Sequence, residues 1–201
     1  MTSNGRRVAI VTGGSQGIGA GLVAGYRRQG WAVVASARKI KAGEDPDLLT
    51  VEGDLAEPAT ADRIVDGALE RFGRIDTLVN NAGVYISKPF TDYTAADYAL
   101  ASGVNLTGFF WITQRAIAEM ATRSLAVEYA SRGIRVNAVS PGIIQTPLHP
   151  AESYQDLGGR LPPLGRAGQV SDVVDAILFL ESSPYITGEI LHVDGGQTAG
   201  H

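Results

Sequence analysis

Short runs of consecutive apolar residues alternate along this chain with stretches whose apolar positions fall three or four apart. Val8 to Thr12 is the first run. Glycines follow at 13, 14, 17 and 19, and then Ile18, Leu22, Val23 and Tyr26 repeat at helical spacing. The pattern predicts a buried strand, a tight turn and an amphipathic helix. Trp31 to Ala37 predicts a second buried strand, and Leu48 to Gly53 a third that ends in Asp54-Leu55. A helix is expected from about Thr60, with Ile64, Val65, Ala68, Leu69 and Phe72 on one face and Gly73 as its stop. Asp76 to Val79 reads as a fourth strand that breaks into the loop Asn80-Asn81-Ala82-Gly83.

Thr94 with Asp97 three residues on is spaced as a capping box for the next helix. That helix pauses near Gly103. From Leu106 to Ser131 the pattern then reads as one uninterrupted helix, long for a globular domain. Ile134 to Ser140 is the next strand, closed by Pro141-Gly142. Ser171 is expected to cap a helix carrying Val173, Val174, Ile177, Leu178 and Leu180, and Glu189 to Val193 is the last strand. Alternation of this kind implies βαβ units: an α/β fold, a doubly wound, mostly parallel sheet with helices on both faces, in one domain over 1–201. The longest irregular stretch, Pro141 to Gln169, holds five prolines and five glycines. A loop of that length inside a compact domain is usually functional, often a lid.

Composition narrows the partners. The chain has 201 residues, 44% hydrophobic and 19% charged, which is ordinary for a soluble globular protein. A formal net charge of −4 argues against a nucleic-acid partner. With no cysteine, disulfides, thiolate catalysis and cysteine metal sites are excluded. His149, His192 and His201 lie far apart, so no metal site is expected. No leader and no apolar run of membrane-spanning length is evident, so no membrane contact is expected and a cytoplasmic location is.

The glycines of the first turn form either a plain glycine-rich turn or a phosphate-binding one. Glycines let a backbone approach a ligand where a Cβ would collide. The helix that follows opens with free N–H groups and a positive dipole end, suited to a pyrophosphate. The spacing Gly13-x-x-x-Gly17-x-Gly19 differs from the common G-x-G-x-x-G fingerprint.

Taken with motifs further along, the sequence resembles the short-chain dehydrogenase/reductase family. The matching stretches are Thr12-Gly13-x-x-x-Gly17-x-Gly19, Asn80-Asn81-Ala82-Gly83, Val104-Asn105, Arg135-Val136-Asn137-x-Val139-x-Pro141-Gly142, Thr146-Pro147, Thr187-Gly188 and Val193-Asp194-Gly195-Gly196. They run from end to end in the family's order. The resemblance implies a nicotinamide-dinucleotide oxidoreductase that interconverts an alcohol and a carbonyl. It places Gly13, Ser15, Gln16, Gly17, Ile18 and Gly19 at the pyrophosphate, and Asp54 and Leu55 at the adenine. Asn81, Ala82 and Gly83 fall on the ribose side, and Pro141, Gly142, Ile144 and Thr146 at the nicotinamide. Asn105 is the implied catalytic asparagine, holding a water. A homodimer or homotetramer is implied as well, since Phe109, Phe110, Trp111 and Ile112 cannot all face one sheet.

Cofactor choice turns on the end of the second strand. An NAD enzyme wants a carboxylate there for the ribose 2′-OH. Here Ala37 is followed by Arg38, and an arginine fork suits a 2′-phosphate. NADP is therefore favoured over NAD, although Gln16 stands where NADP-preferring relatives often carry a basic residue.

One departure is large. The family's proton transfer rests on a Ser, a Tyr and a Lys, the last two four apart on one helix face. Lysines occur only at 39, 41 and 88, none four after a tyrosine. The resemblance locates the gap between Met120 and Ala121, where the family has a strand, the serine loop and two helical turns, roughly 35 to 45 residues, about one βαβ unit. A missing central strand would leave its neighbours' backbone groups unpaired. An omitted segment is therefore expected rather than a true deletion. A true deletion would favour a non-catalytic dinucleotide-binding protein such as a redox sensor, and a structural subunit with an empty pocket is the third reading. The substrate is not legible, since its pocket would be built from the missing segment and the lid, Leu148 to Gly168.

Overall fold

β1, Val8–Thr12, is buried along its whole length. An apolar run without alternation suits a strand covered on both faces, as parallel sheets require. It pairs in parallel with β2, Ala32–Ala37, on one side and with β4, Thr77–Val79, on the other. β2 pairs in parallel with β3, Leu48–Glu52, so the sheet order is β3-β2-β1-β4. The computed structural model describes residues 6–43, 45–119, 131, 133, 135–147 and 162–199. The chain forms two compact units, one of Met1–Ser15 with Leu22–Ala121, the other of Gln16–Gly21 with Thr122–His201.

In the first unit, Val8 and Ile10 on β1 and Ala32 and Val34 on β2 point to one face of the sheet, as their period of two dictates. α2, Pro58–Phe72, covers that face with Ala61, Ile64, Val65, Ala68 and Phe72. It starts two residues before the expected Thr60 because Pro58 sits at its first turn, where a missing N–H costs nothing. Gly73 ends it at φ 76°, donating its N–H to the Leu69 carbonyl. α1, Gly17–Arg28, carries Arg27 and Arg28 in its last turn, where its dipole favours cations, and no acidic residue in its first.

α3, Ala95–Ser102, opens on the expected capping box: Thr94 Oγ1 accepts from the Asp97 N–H at 3.2 Å, and the Asp97 carboxylate accepts from the Thr94 N–H at 2.8 Å. The expected pause near Gly103 is a π-helical turn, Gly103–Gly108, and α4 follows at Phe109–Glu119. Ile112 and Ala116 of α4 are fully buried in the α2 core, while Phe109 and Phe110 are half exposed. Residues 120–130 of the expected long helix, including the Met120–Ala121 junction, lie outside the described residues.

In the second unit, β5, Ala138–Pro141, pairs in parallel with β6, Ile190–Val193. The expected strand from Ile134 starts late because residues 135–137 bond a loop instead of a ladder. The Val136 N–H donates to Thr187 Oγ1 at 3.1 Å, Asn137 Nδ2 to the Ile186 carbonyl at 3.0 Å, and the Glu189 N–H to Asn137 Oδ1 at 3.0 Å. α5, Val170–Ser182, is capped by Gln169 and not by Ser171, which lies inside its first turn. Asp172 is the capping carboxylate, accepting the Gln169 N–H at 2.8 Å. β4 and β5 belong to different sheets among the described residues. No helix among the described residues is long and apolar enough to cross a membrane.

Candidate functional site

The carboxyl ends of the parallel strands in the first unit are tied together by one hydroxyl. Thr12 Oγ1 donates to the Val79 carbonyl at 3.3 Å and accepts from the Asn81 and Ala82 N–H groups, both at 3.0 Å. The Asn81 side chain answers by donating to the carbonyls of Thr12 at 2.9 Å and Gly13 at 3.3 Å. Gly13 has φ +68°, and a Cβ on it would lie 2.9 Å from the Ala82 Cα, so only glycine fits. The Gly14 N–H donates to the Ser36 carbonyl at 2.9 Å, which adds the end of β2. Ligands of open α/β sheets bind at this end of the strands.

Ser15 and Gln16 are exposed beyond this clamp, and Gly17, at φ +56°, begins α1. A helix start without a carboxylate, preceded by the exposed Ser15 and Gln16, could hold an anionic group. Ile18 is half-buried and Gly19 buried. At the end of β2, Arg38 and Lys39 are exposed and make no ion pair among the described residues.

The other sequence-derived residues of this unit are largely engaged by the protein itself. Asp54 Oδ1 accepts the Ala56 N–H at 2.9 Å, the bond of a strand-end turn. Leu55 is buried in the α2 core, and its carbonyl oxygen lies 3.3 Å from where a Cβ on Gly108 would stand. The Asn81 amide braces the glycine turn, as above, and Asn80 Nδ2 donates to Thr113 Oγ1 at 2.9 Å. Asn105, in the π-turn, bonds the backbone of Val84 twice: Oδ1 accepts its N–H at 2.8 Å and Nδ2 donates to its carbonyl at 3.0 Å. A Cβ on Gly83 would stand 3.4 Å from that Oδ1. Asn105 therefore positions the 83–84 loop with its side chain. Lys88 pairs with the Asp97 carboxylate, and that ammonium together with the Thr94 hydroxyl holds the Asp97 pKa down to about 2.

In the second unit the Gly142 N–H donates to the Val193 carbonyl at 3.1 Å, and a Cβ on Gly142 would lie 2.8 Å from the Asp194 Cα. Pro141 and Gly142 are thus held against the end of β6. Ile144 is buried and bridged to Gly168, with its Cδ1 where a Gly168 Cβ would be. Its side chain packs against the protein. Thr146 lies beside Gly17, whose Cβ would be 3.5 Å away. Between these turns opens a cavity of about 480 Å³ lined by Ile143, Pro162, Leu164, Arg166, His192 and Asp194 among others. Asp194 is held below its usual carboxylate range, first by the Thr198 hydroxyl and then by backbone N–H groups. Sequence reasoning missed this cavity and the Thr12 hydroxyl. Arg166 and His192 share no spacing that would pair them, whereas a threonine closing an apolar run before glycines was a usable signal. Most of the expected lid, 148–161, lies outside the described residues.

Comparison with known proteins agrees with this geometry. The family pattern described as short chain dehydrogenase matches residues 7–124, and that described as enoyl-(acyl carrier protein) reductase matches 115–198. A 3beta-hydroxysteroid dehydrogenase of Eggerthella lenta is 31% identical over 245 residues, covering 96% of this chain and 94% of the relative. A glucose 1-dehydrogenase of Gluconobacter oxydans is 31% identical over 246 residues, covering 94% and 91%. Because the chain has only 201 residues, about fifty positions in each of these alignments have no counterpart in it. Among solved structures, a 3-ketoacyl-(acyl-carrier-protein) reductase from Brucella melitensis complexed with NADH aligns with a TM-score of 0.84 at 28% identity, covering 96% of this chain and 98% of that one. A blue fluorescent protein from a metagenomic library in complex with NADPH aligns at 0.83 and 28%, covering 98% and 99%.

Proposed function

This chain belongs to the short-chain dehydrogenase family of NAD(P)-dependent oxidoreductases, which interconvert an alcohol and a carbonyl, and on that premise we propose that it prefers NADP. The observation that carries the preference is Arg38: exposed, free of any ion pair among the described residues, and directly after Ala37 where an NAD enzyme would place a carboxylate. Gly13, Ser15, Gln16, Gly17, Ile18 and Gly19 would hold the pyrophosphate, with the favourable dipole of the α1 start. Asp54 and Leu55 would meet the adenine, Asn81, Ala82 and Gly83 would support the ribose side, and Pro141, Gly142, Ile144 and Thr146 would hold the nicotinamide. Asn105 acts by fixing the 83–84 loop. When bound, the nicotinamide supplies hydride chemistry. The substrate is a small alcohol or carbonyl compound, the protein works as a homodimer or homotetramer, and it resides in the cytoplasm.

The test is a titration of NADPH and NADH against the protein and Arg38→Ala. Losing one charged contact costs about 1.5–3 kcal/mol, so NADPH should weaken roughly tenfold or more with NADH almost unchanged. Equal losses for both cofactors would remove the 2′-phosphate role.

A second reading has its own observation. No tyrosine in the 201 residues is followed four positions later by a lysine, and about fifty alignment positions of the relatives are absent. The two family patterns meet at 115–124, around the Met120–Ala121 junction. We read the domain as interrupted there. If the purified protein has the 21.1 kDa mass of this sequence, it lacks the tyrosine–lysine pair. The second reading then holds: cofactor binding without turnover. Turnover by a 21.1 kDa protein would refute it.

A further inference from the structure

The exposed cation Arg38 has a neighbour that the strand register identifies. Ala37, the last residue of β2, is the register partner of Glu52, the last residue of β3. The Gly53 N–H donates to the Ala37 carbonyl at 3.1 Å, which keeps the two strand ends together one residue further. Arg63, in α2, reaches back to this point. Its Nη2 donates to the Glu52 carbonyl at 3.2 Å and to Thr60 Oγ1 at 3.2 Å. Adjacent strands are about 4.8 Å apart. The Glu52 carbonyl shares its peptide with the Gly53 N–H that faces β2, so it points to the outer side of the edge strand β3, and the Arg63 head group stands there, at the end of β3 and across that strand from the one that leads into Arg38.

Two further observations mark this placement as more than a surface side chain lying where it fell. A Cβ on Gly53 would lie 2.5 Å from Arg63 Nη2 and 2.7 Å from Thr60 Oγ1, so glycine at 53 is what lets the guanidinium fold down onto the strand end. Arg63 is also exposed and, like Arg38, has no carboxylate partner among the described residues, a state that Arg7, Arg28, Arg71 and Arg135 share and that Arg6, Arg27, Arg74, Arg115 and Arg166 do not. A guanidinium has five N–H donors in a planar fork, and Nη2 alone is used here, which leaves most of that fork for a ligand.

We propose that Arg63 is a second specificity-determining residue for the cofactor, contacting the phosphate on the adenosine ribose together with Arg38. This rests on the NADP reading above. Arg38 approaches that phosphate from the β2 end and Arg63 from the β3 side. A dianion held by two guanidinium groups is discriminated from a neutral hydroxyl more sharply than by one.

The experiment uses the full chain and four probes: NADPH, NADH, 2′,5′-ADP and 5′-AMP. Affinities are measured for the parent, Arg63→Ala, Arg63→Lys and Arg38→Ala. Arg63→Ala should weaken NADPH and 2′,5′-ADP about tenfold, the size of one charged contact, and leave NADH and 5′-AMP within a factor of two. Arg63→Lys keeps the charge without the fork and should fall between. Unchanged far-ultraviolet circular dichroism and midpoint of unfolding separate binding from folding. If Arg38→Ala is selective for the phosphorylated probes and Arg63→Ala is not, Arg63 plays no such part and the NADP reading stands. If the parent itself binds NADH as tightly as NADPH, the NADP reading fails and takes this proposal with it. Equal loss for all four probes on Arg63→Ala would make the residue a brace of the strand end, and would overturn the assignment as well.

Discussion

Replacing Thr12 by valine removes one oxygen and keeps the shape of the side chain, so it isolates what that oxygen does. Thr12 is buried, and its hydroxyl makes one donated and two accepted bonds. In the valine variant the N–H groups of Asn81 and Ala82 lose their acceptor, and the Val79 carbonyl loses a donor. The last loss is minor, since that bond is 3.3 Å long and a carbonyl strand end tolerates it. Each N–H stranded away from water costs about 1–3 kcal/mol. Both residues are only half-buried, so water recovers part of the loss, and about 2–4 kcal/mol in total is the expected destabilisation. Thr12→Ser keeps the hydroxyl and loses one methyl, at about 1 kcal/mol. Urea unfolding followed by tryptophan fluorescence should therefore place Thr12→Val below Thr12→Ser by roughly 1 M in midpoint, given a slope near 2 kcal/mol/M for a chain of this size. Because the same oxygen sets the path of the glycine turn, NADH and NADPH should both bind more weakly to Thr12→Val, by similar factors. A valine variant as stable as the serine variant would mean that the hydroxyl does not join the strand ends, and the clamp described above would have to be given up.

Other residues give shorter tests. Arg135 donates to the carbonyls of Leu180 at 2.7 Å, Glu181 at 3.0 Å and Ile186 at 3.2 Å, closing the end of α5. Arg135→Ala should cost about 2–3 kcal/mol in chemical denaturation, and a change under 0.5 kcal/mol would contradict this role. Asp97 has its pKa lowered from 3.8 to about 2 by Lys88 and Thr94. Its charged form therefore supports the α3 cap at every pH above about 4, and the support is lost as pH falls from 4 through 2. Nuclear magnetic resonance titration of the Asp97 carboxyl and the Thr94 amide should show both moving together in that window, and independent titrations would break the link. Phe109 and Phe110 are 50% and 49% exposed beside a fully buried Ile112. If this face is where copies meet, Phe110→Glu should convert an oligomer to a monomer by light scattering. A parent already monomeric at micromolar concentration would refute it.

Most of the first unit was legible because its signals are local. Val8 to Thr12 is buried as an unbroken apolar run must be, Gly73 ends α2 in the left-handed region, and Thr94 and Asp97 close the box their spacing announces. Errors arose where distant partners override local pattern. Val136 and Asn137 look like strand, yet a loop fifty residues on takes their hydrogen bonds, and Arg135 turns to the end of α5. Ser171 looks like a cap, yet Asp172 bonds the backbone of Gln169 and moves the start of the helix. In the site, glycine positions were readable from spacing. The engagement of Asn81, Asn105 and Ile144 with the protein itself was not, because it depends on which strand ends meet. Arg63 was invisible for the same reason: nothing in the sequence joins it to Ala37 except the register of two strands.

The π-turn at Gly103–Gly108 also sets how this part of the chain tolerates changes of length. Such a turn holds one residue more than an α-turn, so deleting a single residue inside it would restore an ordinary helix. α4 would keep its phase, with Ile112 and Ala116 still directed at α2. The same deletion inside α4 would rotate everything beyond it by about 100° and swing apolar residues into water. Insertions and deletions among relatives are therefore expected to concentrate in these six positions. What a shortened version would forfeit is the outward set of Asn105 and its hold on Val84.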